Sequence, residues 1–290
     1  MHVNLTPALV TSPATVQRSA ACFAVGGCAL PAIIHQPAIG AKRWPVGVLF
    51  MVGGAQYRVG SHRQFVQWAE SLAMAGYAAC RFDFRGMGDA EGARLGFDAC
   101  GEDLAGALAH AIAVTGVPRW VLCGLCDGAT VALQQVAHLP EVAGLVLLNP
   151  SVSAPALQAR AMLREYYWQR LGSLVWWRHL LHGRVHWRRS LADWRGFYAA
   201  ARLPVSANTL PPLLLALQGI QAPTLWVLSG RDHTAAAFRA LLQSDARWQA
   251  CLDRPGSTLV HRPEADHTFS APGEHAAVFA AVLEWLTRVA

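Results

Sequence analysis

Two glycines bracket a thiol in Gly124-Leu125-Cys126-Asp127-Gly128, directly after the apolar run Trp120 to Cys123 and directly before a helix-like segment, Asp127 to His138. A G-x-C-x-G pentapeptide between a strand and a helix has the makings of a nucleophile elbow. Its glycines let the backbone approach closely, the strained turn lifts the central side chain clear of the sheet, and the helix N-terminus favours negative charge. Such a thiol needs a base to ionise it and a carboxylate to orient that base, in the chain order nucleophile, acid, histidine. Asp232 stands just past the run Leu225 to Gly230, and His267, 35 residues later, follows the run Ser257 to His261 and precedes the last helical pattern. Cys126, Asp232 and His267 are therefore the candidate nucleophile, acid and base.

Charge building on a substrate oxygen calls for two backbone N–H donors, one from the residue after the nucleophile and one from the loop after the third strand. Those are Asp127 and Gly54, or Ala55 if the loop is shifted by one. The Asp127 carboxylate opposes ionisation of Cys126, while the helix N-terminus and a protonated His267 favour it. On the same loop Arg58, His62 and Arg63 suit either contact with an anionic substrate or bracing of the loop. Cys123 and Cys126 also spell C-x-x-C, the presentation of a redox pair, but Cys123 falls inside the apolar run, where its side chain should be buried. One C-x-x-C without a second ligand pair at suitable spacing is no zinc site, and no metal or cofactor is expected.

These residues need a sheet to carry them. Val46 to Val52, Tyr77 to Phe84, Trp120 to Cys123, Val142 to Asn149, Thr224 to Ser229 and Ser257 to His261 are short apolar runs bounded by Gly, Pro or polar residues. Helical patterns lie between them: Gln64 to Ala75, Glu102 to Val114 and Val278 to Leu286. Such alternation predicts an α/β fold with a mostly parallel central sheet and helices on both faces. Ala21 to Val25 and Ala29 to Gln36 flank Gly26-Gly27 as an antiparallel hairpin at the sheet edge. Residues 1–16 are expected to be loose.

From Val152 to Gly219 the pattern turns helical and aromatic. Between Ser151 and Leu210 nine arginines face one glutamate and one aspartate, and five of the chain's 11 tryptophans fall in the same stretch. With a whole-chain charge of +6, the remainder is close to neutral, so the shift marks an inserted cap. The expected division is a core over 1–151, a helical cap over 152–219 and the rest of the core over 220–290. Trp176 and Trp177 are placed in the cap as the lining of an apolar acyl pocket; the alternative is a cap that lies at a bilayer interface.

Hydrophobic residues are 53% and charged residues 14% of the chain, which excludes extended disorder. Seven irregularly spaced cysteines favour a reducing compartment, and no apolar run reaches spanning length, so the expected location is the cytoplasm. Basic charge without a recognisable module argues against nucleic-acid binding.

Three segments together, GGAQYRVGSHRQF from Gly53, FDFRGMGDAEG from Phe82 and GLCDGA from Gly124, resemble the type 1 exosortase A system-associated hydrolases. These are bacterial α/β-hydrolases found with exopolysaccharide and exosortase systems. The resemblance spans roughly residues 20–150 and reaches Asp232 and His267 by position. It implies the α/β-hydrolase fold and a Cys-His-Asp site. Dienelactone hydrolases are similar in carrying Cys at the elbow but lack so large a cap. The reading that results is a hydrolase cleaving a small-molecule ester or thioester through an acyl-enzyme. Its alternatives are acyl transfer to an alcohol or amine, and a scaffold docking through its cap on a membrane-bound machine.

Overall fold

A strand that is apolar at successive positions needs cover on both faces, because its side chains alternate between them. The computed structural model, which describes residues 15–54, 56–152, 211–244 and 246–290, has that arrangement. β3 (Val46–Met51), β4 (Ala78–Phe82), β6 (Val142–Leu148) and β7 (Thr224–Ser229) are buried at every position. With β5 (Arg119–Leu125) and β8 (Ser257–Arg262) they run parallel. β1 (Gln17–Val25) and β2 (Cys28–Gln36) add an antiparallel hairpin at one edge. Its two-residue turn, Gly26-Gly27, has positive φ at both positions, the conformation that a tight hairpin demands.

The strand order is β1-β2-β4-β3-β5-β6-β7-β8. From β3 the chain steps outward to β4 and then returns past β3 to β5, so the winding reverses between β3 and β5. In open parallel sheets the carboxyl ends of the strands at such a reversal form a ready-made crevice. The loop carrying Gly54 leaves β3 there, and Cys126 leaves β5 beside it.

The strands are joined by α1 (Gln64–Met74), α2 (Gly101–Thr115) and α3 (Asp127–Gln135), then by α4 (Pro211–Gly219), α5 (His233–Ser244), α6 (Ala246–Leu252) and α7 (Glu274–Leu286). The expected helix to His138 tightens into a 3-10 turn over Val136–His138 and stops at Leu139, which is extended as a residue before proline must be. The helices α5 and α6 were not anticipated by periodicity. They pack well nonetheless: Trp226 of β7 stacks on Phe238 of α5 with ring centroids 5.5 Å apart.

Of the range expected to form the cap, Val152 and α4 fall among the described residues. Val152, Leu213, Leu214 and Leu217 are buried in the same hydrophobic core as the sheet. The rest of that range, including Trp176 and Trp177, and residues 1–14 of the segment expected to be loose, lie outside the described residues.

Candidate active site

The end of β5 forces an abrupt change of direction. Cys126 has φ 58° and ψ −121°, a conformation that costs a side-chain-bearing residue of order 1–3 kcal/mol, and α3 begins at the next residue. Only glycine fits on either side. A Cβ on Gly124 would lie 2.4 Å from the Ala129 nitrogen, and one on Gly128 would lie 2.5 Å from the Met51 oxygen. Backbone hydrogen bonds hold the elbow to its neighbours. The Cys126 N–H donates to Leu148 O at 2.9 Å, and the Cys126 carbonyl accepts from Ala129 at 3.1 Å and Ser151 at 3.3 Å. The side chain is left half-buried.

Asp232 follows β7 and His267 follows β8. Nδ1 of His267 lies 2.9 Å from Oδ2 of Asp232, whose side chain is only 6% exposed. The backbone N–H groups of Thr234 and Ala235 donate to the same carboxylate at 3.1 and 2.9 Å, fixing it at the start of α5. Burial raises the carboxyl of Asp232, but these hydrogen bonds and the imidazolium outweigh it and hold it below the usual range. The Cys126 side chain lies close enough to the His267 ring to act on its proton. With Nδ1 engaged by Asp232, Nε2 is the nitrogen left for sulfur. Burial pulls the imidazolium down, but Asp232 and Cys126 together outweigh it and raise its pKa from 6.5 to about 10. Cys126, His267 and Asp232 thus meet at the carboxyl end of the sheet.

The other residues singled out by sequence separate into distinct environments. Gly54 is at the expected place, yet its N–H donates to Oδ2 of Asp127 at 3.2 Å. Ala55 lies outside the described residues. Arg58 is tied inward: its guanidinium pairs with Asp83 and, at 2.9 Å, with Asp89, while its own N–H donates to Asp83 at 2.6 Å. Asp83 is fully buried, so Arg58 braces the loop. His62 and Arg63 are exposed. Cys123 is fully buried and burial pushes its thiol up, so the C-x-x-C pair is not presented for exchange.

Two residues went unnoticed in the sequence. Asn149, which follows β6 with φ 45°, and Ser229, which ends β7, are both completely buried and hydrogen-bonded to the loop that carries His267. The available signal was an Asn-Pro pair directly after a buried strand, a turn marker that says nothing of where the Asn amide reaches. Five non-glycine residues have positive φ among the described residues: His62, Arg63, Cys126, Asn149 and Phe269. All five lie on loops that follow β3, β5, β6 and β8. Strain of this kind concentrates where surrounding structure over-determines a functional constellation.

A strand-borne thiol, a following acid and a final histidine on this sheet point to one large group of enzymes. The sequence profile of the family described as serine aminopeptidase, S33, matches residues 45–237. The chain belongs to that family. It has the α/β-hydrolase fold, which solved structures share at low sequence identity. The esterase Pf2001 of Pyrococcus furiosus is 17% identical with a TM-score of 0.64, over 94% of this chain and 92% of that one. Est1E of Butyrivibrio proteoclasticus, solved with ferulic acid, is 15% identical with a TM-score of 0.62, over 93% and 98%. XC6422 of Xanthomonas campestris, described as a serine hydrolase without lid, is 17% identical with a TM-score of 0.58, over 98% and 97%. No curated protein matches. The family's name specifies serine, whereas the elbow here carries Cys126. Among the described residues no helix is long and apolar enough to cross a membrane.

Proposed function

We propose that this α/β-hydrolase cleaves a carboxylic ester or thioester of a small molecule through a covalent acyl-cysteine. The observation that carries the reading is the 2.9 Å contact of Asp232 with His267, whose ring is in turn coupled electrostatically to Cys126. An imidazolium held to about 10 is the partner a thiolate needs at neutral pH.

In the first half-reaction the sulfur of Cys126 attacks the acyl carbon and the carbonyl π pair moves onto oxygen. The N–H of Asp127, with that of Gly54 or Ala55, receives the oxyanion; loss of one such donor typically costs about 3 kcal/mol of barrier. The intermediate collapses, the bond to the leaving oxygen or sulfur breaks, and His267 delivers its proton to the leaving group. Water then enters, neutral His267 takes its proton, and the hydroxide displaces the cysteine sulfur as the acid departs. Asp232 keeps the ring in the tautomer that aims Nε2 at the reaction throughout.

His62 and Arg63 are the side chains we assign to contact with an anionic part of the substrate. The segment 152–219 is read as a Trp/Arg-rich cap whose Trp176 and Trp177 line the acyl pocket. Cytoplasmic location rests on the seven irregularly spaced cysteines, and work alongside exopolysaccharide and exosortase systems on the resemblance of the three motifs. Intact-protein mass after incubation with p-nitrophenyl esters and acyl thioesters tests the chemistry. The expected result is an acyl adduct on the native protein and none on Cys126→Ala; undiminished turnover by Cys126→Ala overturns the mechanism.

A further inference from the structure

The acid, base and nucleophile come from three different strand ends, and something must hold those ends in register. Asn149 is fully buried between them. Its Nδ2 donates to the His267 carbonyl at 2.9 Å and to Ser229 Oγ at 2.9 Å, and its Oδ1 accepts from the Ser229 N–H at 2.8 Å. Ser229 Oγ then donates to the Asp266 carbonyl at 2.7 Å. Two consecutive carbonyls of the histidine loop therefore hang from a single buried amide and the hydroxyl it orients.

Asn149 and its neighbour Leu148 reach the other two strand ends. The Asn149 N–H donates to Val227 O of β7, three residues before the Asp232 loop begins at Gly230, and the elbow N–H of Cys126 is anchored on Leu148, immediately before Asn149. Asn149 holds this place in the left-handed region, which asparagine tolerates better than most residues. The His267 loop has no regular structure of its own to fix its height above the sheet.

We infer that Asn149 is a positioning residue, which through the His267 and Asp266 carbonyls sets the distance between the His267 imidazole and the Cys126 sulfur. The inference rests on the proposed Cys-His-Asp chemistry. It goes beyond it by assigning the alignment of the pair to a residue that touches neither reacting group. Reactions of this kind are steep in geometry: a misplacement of about 1 Å can cost on the order of a hundredfold in rate.

Asn149→Gly is the informative variant, since glycine keeps the left-handed backbone and removes only the amide. Ser229→Ala, which leaves the Asn149 to His267 bond intact and removes the tie to Asp266, is its companion should the glycine variant fail to fold. Both are compared with the parent for p-nitrophenyl acetate turnover, for the pH dependence of Cys126 alkylation by iodoacetamide, and for far-UV circular dichroism. The expected result for folded Asn149→Gly is a fall in kcat of about tenfold to a hundredfold with KM nearly unchanged. Alkylation at pH 6 should slow, because the imidazole no longer stands where it assists the sulfur. Ser229→Ala should move both readouts the same way by less. A folded variant with the parental alkylation profile overturns the inference. The alkylation profile reads the sulfur and imidazole directly, so it remains decisive even if Cys126→Ala shows that ester turnover belongs elsewhere.

Discussion

The backbone N–H of Gly54 donates to the carboxylate of Asp127 at 3.2 Å, so the residue next to the thiol occupies one of the donors proposed to receive the oxyanion. A substrate oxyanion at Gly54 has to displace that carboxylate. Removing it should leave the donor free and also remove a like charge beside the developing negative charge.

Asp127→Ala is therefore expected to raise kcat several-fold on small activated esters. It should lower stability by about 0.3–1 kcal/mol, because a negative charge is lost from the first turn of α3. Steady-state kinetics and thermal melts check both parts. An unchanged kcat transfers the donor role from Gly54 to Ala55.

Asp232→Asn preserves shape but removes the charge that holds the imidazolium and the acceptor that selects its tautomer. In a triad of this design the loss in kcat is about 10⁴-fold. Because Asp232 also receives the Thr234 and Ala235 N–H groups, the variant should melt lower as well. Retention of parental turnover would remove Asp232 from the site.

The histidine makes stability depend on pH in a defined direction. His267 binds its proton more tightly in the folded protein, about 10 against 6.5, so protonation favours the folded state. That contribution is fully present below pH 6.5 and drains away as the pH rises toward 10. The melting temperature of the parent minus that of His267→Gln should accordingly shrink across this window. A difference that grows with pH contradicts the assigned ion pair.

Arg58 and Arg63 share a loop but should behave oppositely. Arg58→Ala strands the buried charge of Asp83, a change of the kind that costs about 3–5 kcal/mol, and should appear chiefly as a lower melting temperature. Arg63→Ala removes an exposed cation and should leave the melt unchanged while raising KM for carboxylate-bearing esters over neutral ones. Equal KM effects on both substrate types would take Arg63 out of substrate recognition.

Local signals carried much of this architecture. β7 occupies the expected run Thr224–Ser229, and the apolar runs beginning at Val46, Val142 and Ser257 begin β3, β6 and β8. Consecutive apolar residues bounded by breakers say the same thing wherever they occur. The helices α5 and α6 were not anticipated; α6 spans only seven residues, too few to show a period. The candidate triad was legible only as an order of residue types along the chain.

By itself the sequence determined the strand runs, the thiol at a turn between strand and helix, and the residue types that could serve it, since each depends on neighbours within a few positions. The tertiary structure alone decided what those residues face. It put the Asp232 carboxylate on His267, turned Arg58 inward onto Asp83, lent the Gly54 N–H to Asp127, and hung the histidine loop from Asn149. Each of those contacts joins loops from different strands, and such pairings follow from sheet order and register rather than from any spacing along the chain.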